Sequence, residues 1–249
     1  MIDDRFFRGI ILDAVKSAHK RGFAFTDFLS EEEQAEAELI LKRENDVSFS
    51  FFGGYAEAER RVLCVYEDEA PQSWPISLMD ISVRDKTAEP KHSDVLGGVM
   101  ALSVERRVLG DIICCREHAS VFILKNMESY FSQNLLRIGR YACDVTVRSE
   151  WDGPDFSRKF LELECVISSN RLDCYVSELA RLSRNDSVEL IREGKVAVNG
   201  KIVTAPALRL NVSDKLTIRG KGKFIIESDP ANCPATQKGR LRIRIKKYN

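Results

Sequence analysis

The sequence predicts an α+β protein made of two or three small domains. Its 249 residues exceed what one hydrophobic core usually needs, and 44% of them are hydrophobic, so more than one core can form. Alternating runs typical of strands lie between stretches with helical spacing, and two such runs follow one another directly in the middle of the chain. These observations predict a small α/β N-terminal domain, a mixed middle domain and a compact C-terminal domain.

Residues 1–74 are predicted to form the small α/β domain, which begins with two helices. Ser30 and Glu33 have the spacing of a capping box at the start of the second helix, "SEEEQAEAELILKREND". The following "VSFSFFGGYAEAERRVLCVYED" predicts a strand, a glycine turn, a short helix from Ala56 and a second strand. Pro71 and Pro75 mark the boundary with the next domain.

Residues 75–150 show the order strand, helix, strand, strand, helix, strand. The runs are "PISLMDISV", "SDVLGGVMALSV", "GDIICC", "ASVFIL", "MESYFSQNLLRIG" and "CDVTVRS". This β-α-β-β-α-β order is that of a ferredoxin-like, RRM-like fold. Unrelated proteins share the topology, and the third strand offers only Phe122 for base stacking, so RNA binding by this domain is left open. Residues 151–169 are predicted to be a linker that ends in a strand.

Positive charge is concentrated in the last third of a chain whose formal net charge is zero. Residues 170–249 contain 17 Lys and Arg against 8 Asp and Glu, whereas residues 1–169 contain 21 against 30. A basic region of this kind favours a nucleic-acid partner, because Lys and Arg displace condensed counterions from phosphates. The acidic N-terminal half could dock a protein partner.

The chain has no stretch of about 18 apolar residues, and "MIDDRFFRGI" carries acids where a signal peptide carries bases. We therefore expect a soluble cytoplasmic protein without a membrane partner. The seven cysteines form no C-x-x-C pair, and most lie in apolar runs, so we expect buried thiols, no metal and no cofactor. His19, His92 and His118 have no metal spacing either, and His92 opens a segment, "HSD", that resembles a helix cap.

The C-terminal domain, residues 170–249, begins with two short helices in "RLDCYVSELARLSRNDSVELIREG". Ser183 is placed to cap the second helix, and Gly194 to end it in the left-handed conformation. The amides exposed at the start of that helix, together with Arg184, would bind a phosphate. In "KVAVNGKIV", Asn199-Gly200 predicts a type I′ hairpin, and "DKLTIRGKGKFIIES" predicts one further strand.

The final segment, "RLRIRIKKYN", alternates basic and apolar residues. As a strand it would have one basic face and one apolar face. The pattern predicts a docked edge strand whose outer face meets phosphate through Arg240, Arg242 and Arg244.

The segments "RLD", "LSR", "LIREGKVAVNGKIV" and "DKLTIRGKGKF" together resemble an S4 domain. This small α-L RNA-binding module also occurs in a ribosomal small-subunit protein, pseudouridine synthases, tyrosyl-tRNA synthetases and the Hsp15 heat-shock protein. Upstream, "FTDFL", "FFGGYAEAERR", "HSDVLGGVMALSVERRVLGDI" and "NLLRIGR" are similar to the YlmH family of bacterial and plastid S4 proteins. The resemblance spans about residues 25–248. It implies binding of structured rRNA and tRNA on a large ribosomal subunit obstructed by peptidyl-tRNA, in ribosome rescue linked to cell division.

By this resemblance, three residues at the helix starts are the strongest RNA contacts, with weaker ones along the hairpin and the strand that follows. The strong group is Arg171, Ser183 and Arg184, and the weaker group is Lys195, Lys201, Arg219, Lys221 and Lys223. A surface ion pair with Asp173 or Glu178 is the alternative role for Arg171. The chain also departs from the family at Asp186, whose negative charge would weaken RNA binding beside the helix start that it caps.

A non-enzymatic role is favoured over two alternatives, an S4-targeted RNA-modifying enzyme and an adaptor for a division factor. The catalytic "GRLD" segment of pseudouridine synthases is missing from the upstream region, and "NRLD" at 170–173 belongs to the S4 helix. No G-x-G loop of a methyltransferase is present. We therefore expect no catalytic residues.

Overall fold

A computed structural model describes residues 4–44, 46–85, 87, 89–115, 118–151, 160–229, 232–234 and 239–248. The chain divides into two compact units, residues 1–156 and 157–249. Much of the predicted linker, residues 152–159, lies outside the described part. No helix within the described residues is long and apolar enough to cross a membrane.

The first unit begins with two helices and a three-stranded antiparallel sheet in the order β1-β3-β2. These elements are α1 (Asp4–Arg21), β1 (Phe23–Leu29), α2 (Glu31–Leu41), β2 (Ser48–Phe52) and β3 (Arg61–Tyr66). The capping box is confirmed, because Ser30 Oγ accepts from the Glu33 amide and the Glu33 carboxylate accepts from the Ser30 amide. Both helices bury apolar residues against the sheet, so that Ile11 of α1 and Ile40 of α2 share a core with Leu63 of β3.

The short helix predicted from Ala56 is wrong, because that segment forms turns. Its backbone bonds to a residue far along the chain: the Glu59 and Arg60 amides donate to the buried Asp111 carboxylate at 2.8 and 3.1 Å. The Arg60 guanidinium donates to the carbonyl oxygens of Phe28 and Leu109. These tertiary hydrogen bonds replace the helical ones, and local sequence does not reveal them.

The second part of this unit is a five-stranded antiparallel sheet with two helices. Its elements are β4 (Ile76–Val83), α3 (His92–Met100), β5 (Leu109–Cys115), β6 (His118–Leu124), α4 (Glu128–Asn134), β7 (Arg137–Ile138) and β8 (Tyr141–Arg148). The sheet order is β5-β6-β4-β8-β7. Apart from the short β7, this is the ferredoxin-like arrangement, so the predicted order of elements is confirmed.

The second unit is a six-stranded antiparallel sheet covered on one face by two helices. Its elements are β9 (Phe160–Ile167), α5 (Leu172–Ala180), α6 (Arg184–Arg192), β10 (Val196–Val198), β11 (Lys201–Ile202), β12 (Lys215–Ile218), β13 (Gly222–Ile226) and β14 (Leu241–Tyr248). The sheet order is β11-β10-β12-β13-β14-β9. Tyr175, Ile191 and Ile243 are among the residues of its core.

Two strand predictions for this unit need correction. The segment predicted as one further strand forms β12 and β13, which pair with each other across a turn at residues 219–221. The basic final segment is not an edge strand, because β14 pairs with β13 on one side and with β9 on the other. The edge strand is β9, which precedes the helices. Its pairing with β14 joins segments that are far apart in sequence.

Candidate RNA-binding site

The start of α5 is fixed by a loop that lies more than 30 residues further along the chain. Leu172 and Asp173 donate their amides to the carbonyl oxygens of Leu208 and Pro206 at 2.8 and 3.1 Å. The Asn170 side chain and the Leu210 backbone exchange two further hydrogen bonds. The unpaired amides at this helix start are thus partly satisfied by the loop between β11 and β12. Residue 171 is therefore held in a defined place.

The centre of the site is the carboxylate of Asp173, whose side chain is only 2% exposed. Arg171 donates to it through Nε and Nη2 at 3.1 and 2.9 Å, which is a bidentate arrangement. Arg184, the first residue of α6, lies 3.4 Å from the same carboxylate. The two arginine side chains remain 39% and 55% exposed. One buried acid thus holds two solvent-facing guanidiniums that come from two helix starts.

This carboxylate stays ionised despite its burial. Burial alone would raise the pKa of Asp173, but hydrogen bonds from Arg171 and the Cys174 thiol and the positive charges of Arg184 and Arg171 outweigh it, so that pKa is lowered. The same hydrogen bond raises the pKa of Arg171. Two positive charges against one negative charge leave this corner with a net positive charge toward solvent. We call Arg171, Asp173 and Arg184 the arginine pair site.

The start of α6 has the predicted cap. Ser183 is extended, and its Oγ accepts from the Asp186 amide at 3.2 Å. The Ser187 hydroxyl also donates to the Ser183 carbonyl oxygen. Asp186 is exposed in the first turn, where its charge stabilises the helix dipole. Ser183 thus fixes Arg184 beside Asp173, whereas the effect of Asp186 on RNA remains a prediction.

The sequence patterns did not indicate two further exposed arginines of this unit, Arg181 and Arg209. Arg181 ends α5 with φ +55°, a left-handed conformation that is costly for a residue with a β-carbon. Arg209 lies opposite Arg171, because residues 170 and 172 on either side of Arg171 bond to Leu210 and Leu208. The sequence signal for Arg181 was its position as a basic residue between the first predicted helix and Ser183, the predicted cap of the second. Arg209 had no local signal.

Three of the weaker candidates, Lys195, Arg219 and Lys221, lie at one end of the strands β10, β12 and β13 and form a second basic group, whereas Lys201 lies at the other end of β10. The Arg219 amide donates to the Lys195 carbonyl oxygen at 3.0 Å, so these two residues lie side by side. Lys195 also pairs with Glu193 at 2.6 Å, which offsets part of its charge. Lys201 and Lys221 are exposed in β11 and in the turn before β13, and the half-buried Lys223 lies within β13. The predicted I′ turn fits this geometry, because Asn199 and Gly200 both have positive φ, +50° and +78°.

The basic residues of the tail are exposed to solvent, but acidic side chains lie beside them. Arg242 and Arg244 are exposed on the sheet face away from the helices, and Arg240 is exposed just before the strand. Glu164 on β9 lies directly opposite Arg244 and 4.0 Å from Arg242. The predicted basic face therefore exists, but the internal position of β14 places a neighbouring acid beside it.

The thiols are less uniformly buried than predicted. Cys64, Cys143, Cys165 and Cys174 are buried, but Cys114 and Cys115 are exposed at the end of β5. Burial raises the pKa of Cys165 to about 12, so that thiol stays protonated near neutral pH. Among the described residues, no group of three or more His, Cys, Asp and Glu could hold a metal ion.

Three family models match the chain in sequence order. Residues 6–70 match "YlmH, N-terminal", residues 70–150 match "Putative RNA-binding domain in YlmH", and residues 171–216 match the S4 domain. The S4 match contains the arginine pair site and the β10–β11 hairpin.

The chain is similar to the "Ribosome-associated protein quality control protein P2" of Bacillus subtilis, with 29% identity over 204 residues, which cover 80% of this chain and 78% of that protein. An uncharacterised RNA pseudouridine synthase of Aquifex aeolicus is 41% identical over 51 residues, which cover 20% of this chain and 21% of the synthase. A solved structure, "Cell division protein ylmH from Streptococcus pneumoniae", has a TM-score of 0.49 and 24% identity and covers 59% of this chain and 92% of that one.

Proposed function

Since the chain belongs to the YlmH family of S4-domain proteins, we propose that it is a non-enzymatic RNA-binding protein that acts on ribosomes in quality control. In this proposal it recognises structured rRNA and tRNA on a large subunit obstructed by peptidyl-tRNA. The similarity to a ribosome-associated quality control protein over most of both chains supports the ribosome as the target. The link to cell division and the cytoplasmic location belong to the same proposal.

The observation that carries this proposal is the arginine pair site. A guanidinium has a planar fork of donors that matches two phosphate oxygens, and it stays charged at every physiological pH. Asp173 uses one edge of Arg171 in a bidentate contact and leaves much of both arginine side chains exposed. The arginines are therefore oriented before RNA arrives, which reduces the side-chain entropy lost on binding.

The fixed positions of the basic groups favour a structured RNA as the partner. The arginine pair site sits at two helix starts, and the second basic group of Lys195, Arg219 and Lys221 lies at one end of three strands in the same unit. Rigid elements hold both groups, so they fit phosphates that are themselves held in a fixed arrangement. Most contacts of this kind bind the backbone and give shape recognition more than sequence recognition.

The experiment is sedimentation of the full-length chain with purified large subunits, with and without bound peptidyl-tRNA. We expect Arg171→Ala with Arg184→Ala to abolish most of the co-sedimentation, because both phosphate-facing guanidiniums are removed. Arg8→Ala with Arg21→Ala is the matched control, since it removes two exposed arginines from α1. RNA crosslinks of the wild-type chain should map to rRNA and tRNA.

Two results would contradict the proposal. One is that the double variant at residues 171 and 184 binds large subunits as well as the wild type does. The other is that crosslinks are confined to messenger RNA. If the chain bound equally to subunits with and without peptidyl-tRNA, the ribosome-binding part of the proposal would stand. The part that assigns recognition of obstructed subunits would fail.

A further inference from the structure

The sheet face that RRM-type domains use for stacking bases is blocked in this chain. Phe122 of β6, the aromatic residue on that face, is fully buried and stacks on Tyr55 with 5.3 Å between the ring centroids. Leu78 and Phe122 belong to a core that they share with Phe28 and Val62 of the three-stranded sheet. The β5-β6-β4-β8-β7 sheet therefore cannot stack nucleobases there in the RRM manner.

The exposed remainder of that face carries paired charges. Arg148 bonds to Asp80, and Arg84 bonds to Asp144 at 2.7 Å. Each arginine thus has an acidic neighbour that offsets its charge toward a phosphate. Any RNA contact of residues 70–150, the stretch matched by the putative RNA-binding domain, is better placed on another surface.

A cavity of about 450 Å³ opens on the other side of the sheet, between α3 and the segment 134–139 that runs from the end of α4 through β7. We call it the α3 cavity, and Ser93, Gly97, Leu102, Asn134, Leu136 and Arg137 are among the residues that line it. Its volume lies within the range of about 300–1,000 Å³ that is usual for sites of small organic groups. Leu136 is 66% exposed, so its wall is partly apolar and open to solvent.

The two glycines of α3 differ in whether the packing around them requires glycine. A β-carbon on Gly98 would come within 2.8 Å of the Arg137 carbonyl oxygen, so Gly98 is required for packing against β7. A β-carbon on Gly97 would meet nothing within 4 Å. Glycine inside a helix is less stable than alanine by about 1 kcal/mol, and no contact within the described structure offsets that cost at Gly97. The residue leaves bare backbone on the wall of the cavity.

Arg137 lines the cavity, and both it and Arg140, which follows in the turn after β7, are held in place. The Arg137 guanidinium donates to the Arg140 carbonyl oxygen at 3.2 Å. The Arg140 guanidinium lies 5.1 Å from the centre of the Tyr141 ring and donates to its hydroxyl at 3.0 Å. The Asp94 carboxylate also lines the cavity; it accepts a hydrogen bond from the Lys91 amide at the start of α3, and its negative charge acts on Arg140 as well. Two arginines of fixed orientation thus lie beside a partly apolar space, and Asp94 offsets part of the charge of Arg140.

We propose that the α3 cavity receives an unpaired nucleotide of the bound RNA. The base lies against Leu102, Leu136 and the bare backbone of Gly97, and the adjoining phosphates bind Arg137 and Arg140. An apolar space beside arginines suits a splayed-out nucleotide, which has a flat apolar base and a charged backbone. The inference rests on the proposed function, because it assigns a second contact to the same RNA partner.

The test uses the full-length chain and purified large ribosomal subunits, with affinity and photo-crosslinks as readouts. Arg137→Ala with Arg140→Ala removes the phosphate contacts, and Gly97→Leu fills the cavity from a position where a side chain meets open space. We expect Gly97→Leu to weaken binding by at least about 5-fold, on the order of one lost base contact, and the double arginine variant to weaken it at least as much. Thermal unfolding of each variant shows whether the fold is retained. Crosslinks should map to residues 92–102 and 134–141.

Arg84→Ala with Arg148→Ala is the matched control, since it removes the same charge from the sheet face. If this control weakens binding and the cavity variants do not, the sheet face is the contact and the proposal is overturned. Crosslinks from the cavity to a ribosomal protein in place of RNA would overturn it as well. If cavity variants bind normally while Arg171→Ala with Arg184→Ala abolishes binding, only this inference fails and the proposed function stands.

Discussion

At the scale of single residues, Asp173 decides how the site works. A buried carboxylate is unfavourable unless it is paired, and here its partners are the two arginines that the S4 resemblance assigns to RNA. The ion pair that was the alternative role for Arg171 is present. The two roles are compatible, since a guanidinium has donors on more than one edge.

We predict that Asp173→Asn lowers the free energy of unfolding by about 1.5–3 kcal/mol at pH 7, as expected for lost hydrogen bonds to a charged group. The folded pKa of Asp173 is lowered, so its contribution is complete above the unfolded value of about 3.9 and is lost as the pH falls through the folded pKa. Urea unfolding from pH 7 down to pH 3 should show the difference between wild type and variant shrinking below about pH 4.

Asp186→Asn is the control, because that carboxylate is exposed and acts mainly on the helix dipole. It should change the free energy of unfolding by no more than about 1 kcal/mol and should raise RNA affinity. A difference for Asp173→Asn that stays constant down to pH 3 would show that ionisation of this carboxylate does not stabilise the fold.

At the scale of elements, the position of β14 changes the role of the tail. An internal strand has both edges hydrogen-bonded, so only its side chains can reach RNA. Its apolar residues Ile243 and Ile245 are fully buried, whereas Arg242 and Arg244 face away from the helices beside Glu164. The main role of the strand is therefore to stabilise the unit, and its contribution of positive charge is secondary.

We predict that Arg242→Ala with Arg244→Ala weakens RNA binding much less than Arg171→Ala does, because the exposed Glu164, 4.0 Å from Arg242, does not orient these arginines as the buried Asp173 orients Arg171. Exposed ion pairs are worth at most about 1 kcal/mol, so the free energy of unfolding should change little. Glu164→Gln should strengthen RNA binding by removing the negative charge beside these arginines. Filter binding with rRNA measures both effects, and a larger loss from the tail variant than from Arg171→Ala would assign the main contact to β14.

At the scale of the whole molecule, the chain is neutral overall but its charge is separated. The second unit carries most of the basic excess, and its own core holds the two basic groups and β14 together. Binding to a polyanion depends on local charge, so a net charge of zero does not oppose it.

We predict a steep loss of RNA affinity with salt, because each phosphate contact releases counterions. The slope of log affinity against log salt falls by roughly 0.7–0.9 for each contact removed, so Arg171→Ala with Arg184→Ala should reduce its magnitude by roughly 1.4–1.8. Arg8→Ala with Arg21→Ala should leave the slope unchanged. Titrations at several salt concentrations measure the slopes, and equal changes in both double variants would indicate a general charge effect in place of defined contacts.

What the sequence determined by itself depends on interactions between near neighbours. The cap at Ser183, the left-handed Gly194 and the turn at Asn199-Gly200 follow from local hydrogen bonds and backbone sterics, and all three were predicted correctly. The element order of the five-stranded sheet was predicted in the same way. The RNA contacts of the S4 region came from a resemblance, and they remain predictions.

Only the tertiary structure decided which distant segments meet. It placed Arg184 on the Asp173 carboxylate, Arg209 opposite Arg171, β14 between β13 and β9, and Phe122 in a core shared by two sheets. It also prevented the helix predicted from Ala56, because the Glu59 and Arg60 amides bond to Asp111. These contacts depend on chain packing and on the burial of charges, which no local pattern records. Propensity therefore predicted the separate elements, and packing determined the surfaces that they form.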